Sequence, residues 1–70
     1  MNIGQRVSLL DSQGEPSHIT GDVRGLGAVA DVQGYVVLLD RASQDYVNTH
    51  SNKSSYISMV VVPWDQLQAV

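Results

Sequence analysis

Apolar and polar residues alternate from residue 5 to residue 10, with Val7 and Leu9 on one side and Arg6 and Ser8 on the other. That period of two predicts a half-buried strand. The next six residues, Asp11-Ser12-Gln13-Gly14-Glu15-Pro16, are dense in turn formers and predict a reversal. A second strand follows over residues 17–24, with Ile19, Gly21 and Val23 on one face and Thr20, Asp22 and Arg24 on the other. Glycine inside a strand marks a bulge, a bend or a close backbone approach, and Gly21 is read as the bend of a small barrel. Gly25-Leu26-Gly27 breaks or bends the strand again, and residues 28–33 extend this arm into a hairpin that Gly34 closes.

Residues 35–40 and 59–62 form the third and fourth strands, and neither alternates: Val36 and Leu38 oppose Val37 and Leu39, and Val60 and Val62 oppose Met59 and Val61. A barrel has one interior, so a strand apolar on both faces has a second surface to hide. The reading places Met59 and Val61 inside, and Val36, Leu38, Val60 and Val62 in a subunit contact with Trp64 beside them. Three successive β-branched valines favour a strand. Pro63 ends it and presets one helical turn, from which Leu67 folds back onto the core. Between these strands, residues 41–56 are polar and rich in Ser and Asn. They are read as a loop or a long hairpin without an amphipathic helix, and as a partner-binding segment through Tyr46, His50, Lys53 and Tyr56.

Seventy residues make a single domain, 1–70, of marginal size. The chain has no Cys, which excludes disulfides and suits a cytoplasmic location. No apolar run approaches the ~20 residues of a membrane span. Only 16% of residues are charged, against roughly 25% in an average domain. The missing surface charge is accommodated most simply by burying part of the surface in a homo-oligomer.

Chemistry is sparse. His18 and His50 are the two histidines, and their spacing matches no metal-ligand pattern. No Ser has the setting of an activated nucleophile. The glycines of residues 21–27 are not followed by a helix, so they are not a phosphate loop. No catalytic, metal or cofactor-binding residue is assigned. Four Lys+Arg against seven Asp+Glu argue against a nucleic-acid partner, which needs a basic stripe.

The strand pattern, closed by a single 3-10 turn before the last strand, predicts an all-β fold: a small SH3-like barrel of about five strands. Two resemblances fit it. Residues 19–25, Ile-Thr-Gly-Asp-Val-Arg-Gly, resemble the short motif of KOW modules, which implies binding of RNA or transcription factors. Gly4-Gln5-Arg6-Val7, Gly34-Tyr35-Val36-Val37 and Met59-Val60-Val61-Val62-Pro63 followed by Leu67 resemble the type II, plasmid-encoded dihydrofolate reductases, SH3-like barrels that work as tetramers. That family carries Gln, Ile and Tyr in its pore where this chain has Val60, Val61 and Val62. Valine cannot make the amide and hydroxyl bonds to folate or nicotinamide, so the resemblance implies the barrel and its assembly but not the reductase.

The expectation is a non-enzymatic, self-associating binding or regulatory module with a protein partner, of the kind found among bacterial or phage accessory proteins. The alternatives are an oligomeric small-ligand enzyme of the type II reductase kind, and a KOW-like binder of nucleic acid or transcription factors.

Overall fold

The computed structural model describes residues 2–50 and 55–70. It contains β1 (Arg6–Leu10), β2 (Pro16–Val29), β3 (Val32–Leu39), α1 (Arg41–Thr49), β4 (Met59–Pro63), a 3-10 turn (Trp64–Gln66) and β5 (Leu67–Ala69). The strands form one antiparallel sheet in the order β4-β3-β2-β1-β5. The expected all-β sheet, with its 3-10 turn before the last strand, is therefore present, and its strand order is compatible with an SH3-like fold.

β2 is the spine, pairing with β1 on one side and β3 on the other. Gly21 lies opposite both Val7 and Leu39. A Cβ at Gly21 would run into the backbone oxygen of Leu38, so Gly21 marks a close backbone approach. The register with β3 slips between Val23 and Gly25, leaving Arg24 as the extra residue of a bulge; Gly25, at φ 154°, supplies the backbone freedom. Such a bulge sharpens the twist and lets one long strand serve both halves of the sheet.

The core gathers on one side of this curved sheet: Val7, Val23, Val37, Leu39, Val62 and Leu67, with Leu9, Ile19, Tyr35, Val47 and Val60 packed against them. The inward phase of β1 and β2 and the return of Leu67 agree with the sequence pattern. In the first turn, the Asp11 carboxylate accepts bonds from the N–H groups of Gln13 and Glu15 at 2.9 and 3.0 Å, and Gly14 takes φ 78°. These bonds hold the reversal without tertiary help.

Three expectations are corrected. First, the hairpin between β2 and β3 is not closed by Gly34. It turns at Ala30 and Asp31, both at positive φ (51° and 67°), with Val29 opposite Val32, the geometry of a two-residue type I′ turn. Gly34 instead lies inside β3 opposite Pro63, where an added Cβ would strike the carbonyl of Val62.

Second, residues 41–49 are neither loop nor hairpin but helix α1. Its composition is poor in strong helix formers, and Asp40, at the N-cap position, makes no side-chain cap bond. Tertiary contacts hold it. Buried Ser43 accepts the Thr20 N–H at 2.9 Å, Val47 one turn later packs on the core, and Asn48 reaches Ile57.

Third, the faces of β4 are inverted. Val37 lies opposite Val60 and Tyr35 opposite Val62, and cross-strand partners share a face. Val62, only 6% exposed, therefore belongs to the core rather than to a contact surface. Met59, 54% exposed, and Val61 point outward. A strand apolar in both phases gives no phase signal, and a one-residue slip exchanges its faces.

Candidate functional site: an apolar groove beside an open strand edge

The outer face of β3 carries Val32, Val36 and Leu38, and β4 places Val61 opposite Val36 and Met59 opposite Leu38. β2 adds Val29, opposite Val32. Together, Val29, Val32, Val36, Ile57, Met59, Val60 and Val61 line an open groove of about 430 Å³. Val29 is 61% exposed, and none of these lining residues is charged. Gly27 lies beneath this surface: a Cβ there would meet methyl groups of Val36 and Val61 at 2.6 and 3.6 Å. Its missing side chain is what lets Val36 and Val61 settle close to β2.

β4 is also an edge of the sheet, and the ladder phase is fixed by the bond from the Leu39 N–H to the Ser58 carbonyl at 3.0 Å. In an antiparallel pair, hydrogen-bonded and non-bonded positions alternate. Ser58, Val60 and Val62 therefore direct their backbone groups toward β3, and Ile57, Met59 and Val61 direct theirs away. At Ile57 the outward groups are satisfied: the Asn48 amide donates to the Ile57 carbonyl at 2.8 Å, and its oxygen accepts the Ile57 N–H at 2.7 Å. One side chain thus imitates a neighbouring strand for one residue. At the other end Pro63 has no N–H to offer.

The residues assigned to function by sequence fall in several places. Val36 and Leu38 lie on the outer face, joined by Met59 and Val61, which the sequence pattern places inside, and by Val29 and Val32, to which it assigns no role. Val60 packs against the core and also borders the groove, while Val62 is core. Trp64 is exposed on the 3-10 turn at 54%. Tyr46 lies in α1 and His50 is the residue that caps its C-terminus; their rings pack at 4.2 Å, with His18 edge-on to Tyr46 at 4.4 Å. The His50 ring Nδ1 also lies 2.8 Å from the Tyr46 carbonyl. The Tyr56 hydroxyl donates to Asp45 at 3.3 Å, apart from that stack. Lys53 lies outside the described residues.

Two of the arginines, Arg6 and Arg41, form ion pairs with aspartates. Arg6 holds Asp40 through both terminal nitrogens, at 2.6 and 2.7 Å, and Asp22 at 3.0 Å. Thr20 donates to Asp40 at 2.6 Å. The bond from Arg6, then that from Thr20, pull the Asp40 carboxyl down to about 2, and the bonds to Asp40 and then Asp22 raise Arg6. Arg41 lies 3.5 Å from Asp45, one turn along α1. Among the described residues, no group of three or more His, Cys, Asp or Glu is placed to hold a metal, and no helix is long and apolar enough to cross a membrane.

No protein-family model, curated protein or solved structure matches this chain. The resemblances to type II dihydrofolate reductases and to KOW modules therefore rest on the quoted residues alone.

Proposed function

We propose that the protein is a non-enzymatic binding or regulatory module that self-associates through the outer face of β3 and β4. The observation that carries this reading is the uncharged groove of Val29, Val32, Val36, Ile57, Met59, Val60 and Val61 on a chain with only 16% charged residues. Exposed contiguous apolar surface of this kind is a mark of protein contact. Arg6 and Arg41 are each held by aspartates, and the net charge is −3, which favours a protein partner over nucleic acid. The likeness to type II dihydrofolate reductases enters this reading as architecture, a small SH3-like barrel that assembles, and not as activity. A cytoplasmic bacterial or phage accessory role belongs to the same reading.

Sedimentation velocity over a wide concentration range tests it, with Val36→Lys and Met59→Lys beside the wild type. The expected result is an oligomer for the wild type and folded monomers for both variants, because a lysine in a desolvated apolar contact is strongly unfavourable. A wild-type protein that stays monomeric at high concentration overturns the reading.

A further inference from the structure

We infer that β4 pairs with β4 of a second copy, edge to edge and antiparallel, about a two-fold axis through Val61. The inference rests on the self-association reading above and specifies its geometry.

Three observations carry it. The outward backbone groups of Met59 and Val61 lie between two stops: the Asn48 side chain, which occupies Ile57, and Pro63, which lacks an N–H. Among the described residues the open segment is therefore short, with Val61 midway between Met59 and Pro63. It also carries none of the devices that blunt an edge: residues 57–63 contain no Lys, Arg, Asp or Glu, and Pro63 stands at the end rather than the centre. Finally, Met59 and Val61 project their side chains onto the groove face, so lengthening the sheet across this edge makes the two grooves continuous.

The occupant follows from the symmetry of the segment. Antiparallel pairing centred on Val61 exchanges two bonds between the Val61 residues of the two copies, N–H to carbonyl in each direction. The Met59 N–H of each copy then meets the Pro63 carbonyl of the other, and the missing Pro63 N–H falls at the outer limit of the ladder. A two-fold interface presents the same patch from both sides, and this segment is complementary to its own reverse. An unrelated extended peptide would find only the outward groups of Met59 and Val61 and the Pro63 carbonyl on this edge. A second copy brings its own Met59, Val61 and adjoining groove as well.

The test uses Val61→Pro together with amide exchange on the wild-type protein. The Val61 N–H points away from β3, so proline there removes the outward donor without breaking the β3–β4 ladder. The expected result is a dimeric wild type, a folded Val61→Pro variant whose dissociation constant rises about tenfold or more, and wild-type Met59 and Val61 amides whose exchange slows as concentration rises. A wild-type oligomer whose mass Val61→Pro leaves unchanged overturns edge pairing while the self-association reading stands. A monomeric wild type overturns both. If Val61→Pro fails to fold, the exchange measurement decides: concentration-dependent protection at Met59 and Val61 supports the pairing, and fast exchange in the oligomer overturns it.

Discussion

Arg6 and Asp40, thirty-four positions apart, are joined by two parallel hydrogen bonds of 2.6 and 2.7 Å. They tie the start of β1 to the residue between β3 and α1. The same Asp40 would ordinarily cap the helix that follows it, but its oxygens are taken by Arg6 and Thr20.

That clasp makes stability depend on acid in a definite direction. The Asp40 carboxyl lies at about 2 in the fold against 3.8 for the free group. A lowered folded-state value contributes stability that is present above the unfolded value and lost as pH falls from about 4 toward 2. Asp40→Asn should melt several degrees below wild type at pH 7, with the gap closing as pH drops through that window. The pair is partly exposed, so high salt should narrow the gap at pH 7 as well. Thermal melts across pH and salt check both statements.

Gly34→Ala should be far more costly than Gly27→Ala. At Gly34 a methyl group collides with the β4 backbone at Val62 and Pro63; at Gly27 it meets valine side chains, which can shift. Urea denaturation should give a loss above about 3 kcal/mol for Gly34→Ala, or no folded protein, and roughly 1 kcal/mol for Gly27→Ala.

Ser43 is the buried polar side chain among the described residues, at 3% exposure, and its hydroxyl accepts the Thr20 N–H. Ser43→Ala strands that donor and should cost about 1–3 kcal/mol. The loss should fall on the docking of α1, so the Thr20 amide should exchange faster than its neighbours in the variant.

Val62 and Val61 are adjacent and chemically identical, yet they face opposite ways. Val62→Ala opens a hole in the core and should lower stability by about 1–3 kcal/mol. Val61→Ala removes an outward methyl pair and should leave monomer stability within about 0.5 kcal/mol while weakening self-association. Denaturation in dilute solution, where assembly does not contribute, separates the two.

Much of the sheet is legible in the sequence because alternation carries phase. Val7 and Leu9 against Arg6 and Ser8, or Ile19 and Val23 against Thr20 and Asp22, leave one choice of inward face. Met59 through Val62 are apolar in both phases, so only the register with Val37 assigns Val60 and Val62 to the interior. Helix α1 is hidden for another reason. Ser43, Asn48 and β-branched Val47 and Thr49 are weak helix formers, and the contacts that hold them come from Thr20 and Ile57, elsewhere in the chain. The site suffered from both effects. Its outer valines are legible as surplus apolar surface, but their strand phase is not, and nothing local to Asn48 announces that its amide acts as a one-residue strand.

β2 runs fourteen residues, and Gly21 and Asp22 each face a partner on both sides, Val7 with Leu39 and Arg6 with Leu38. Between β1 and β3 the sheet therefore has no seam. A chain cut within this strand would divide every layer of the sheet at once, and neither fragment would retain a complete template for the other. The turns at Asp11–Glu15 and Ala30–Asp31 break no such double pairing. They are the places to open the chain for a permuted or two-piece version of this fold.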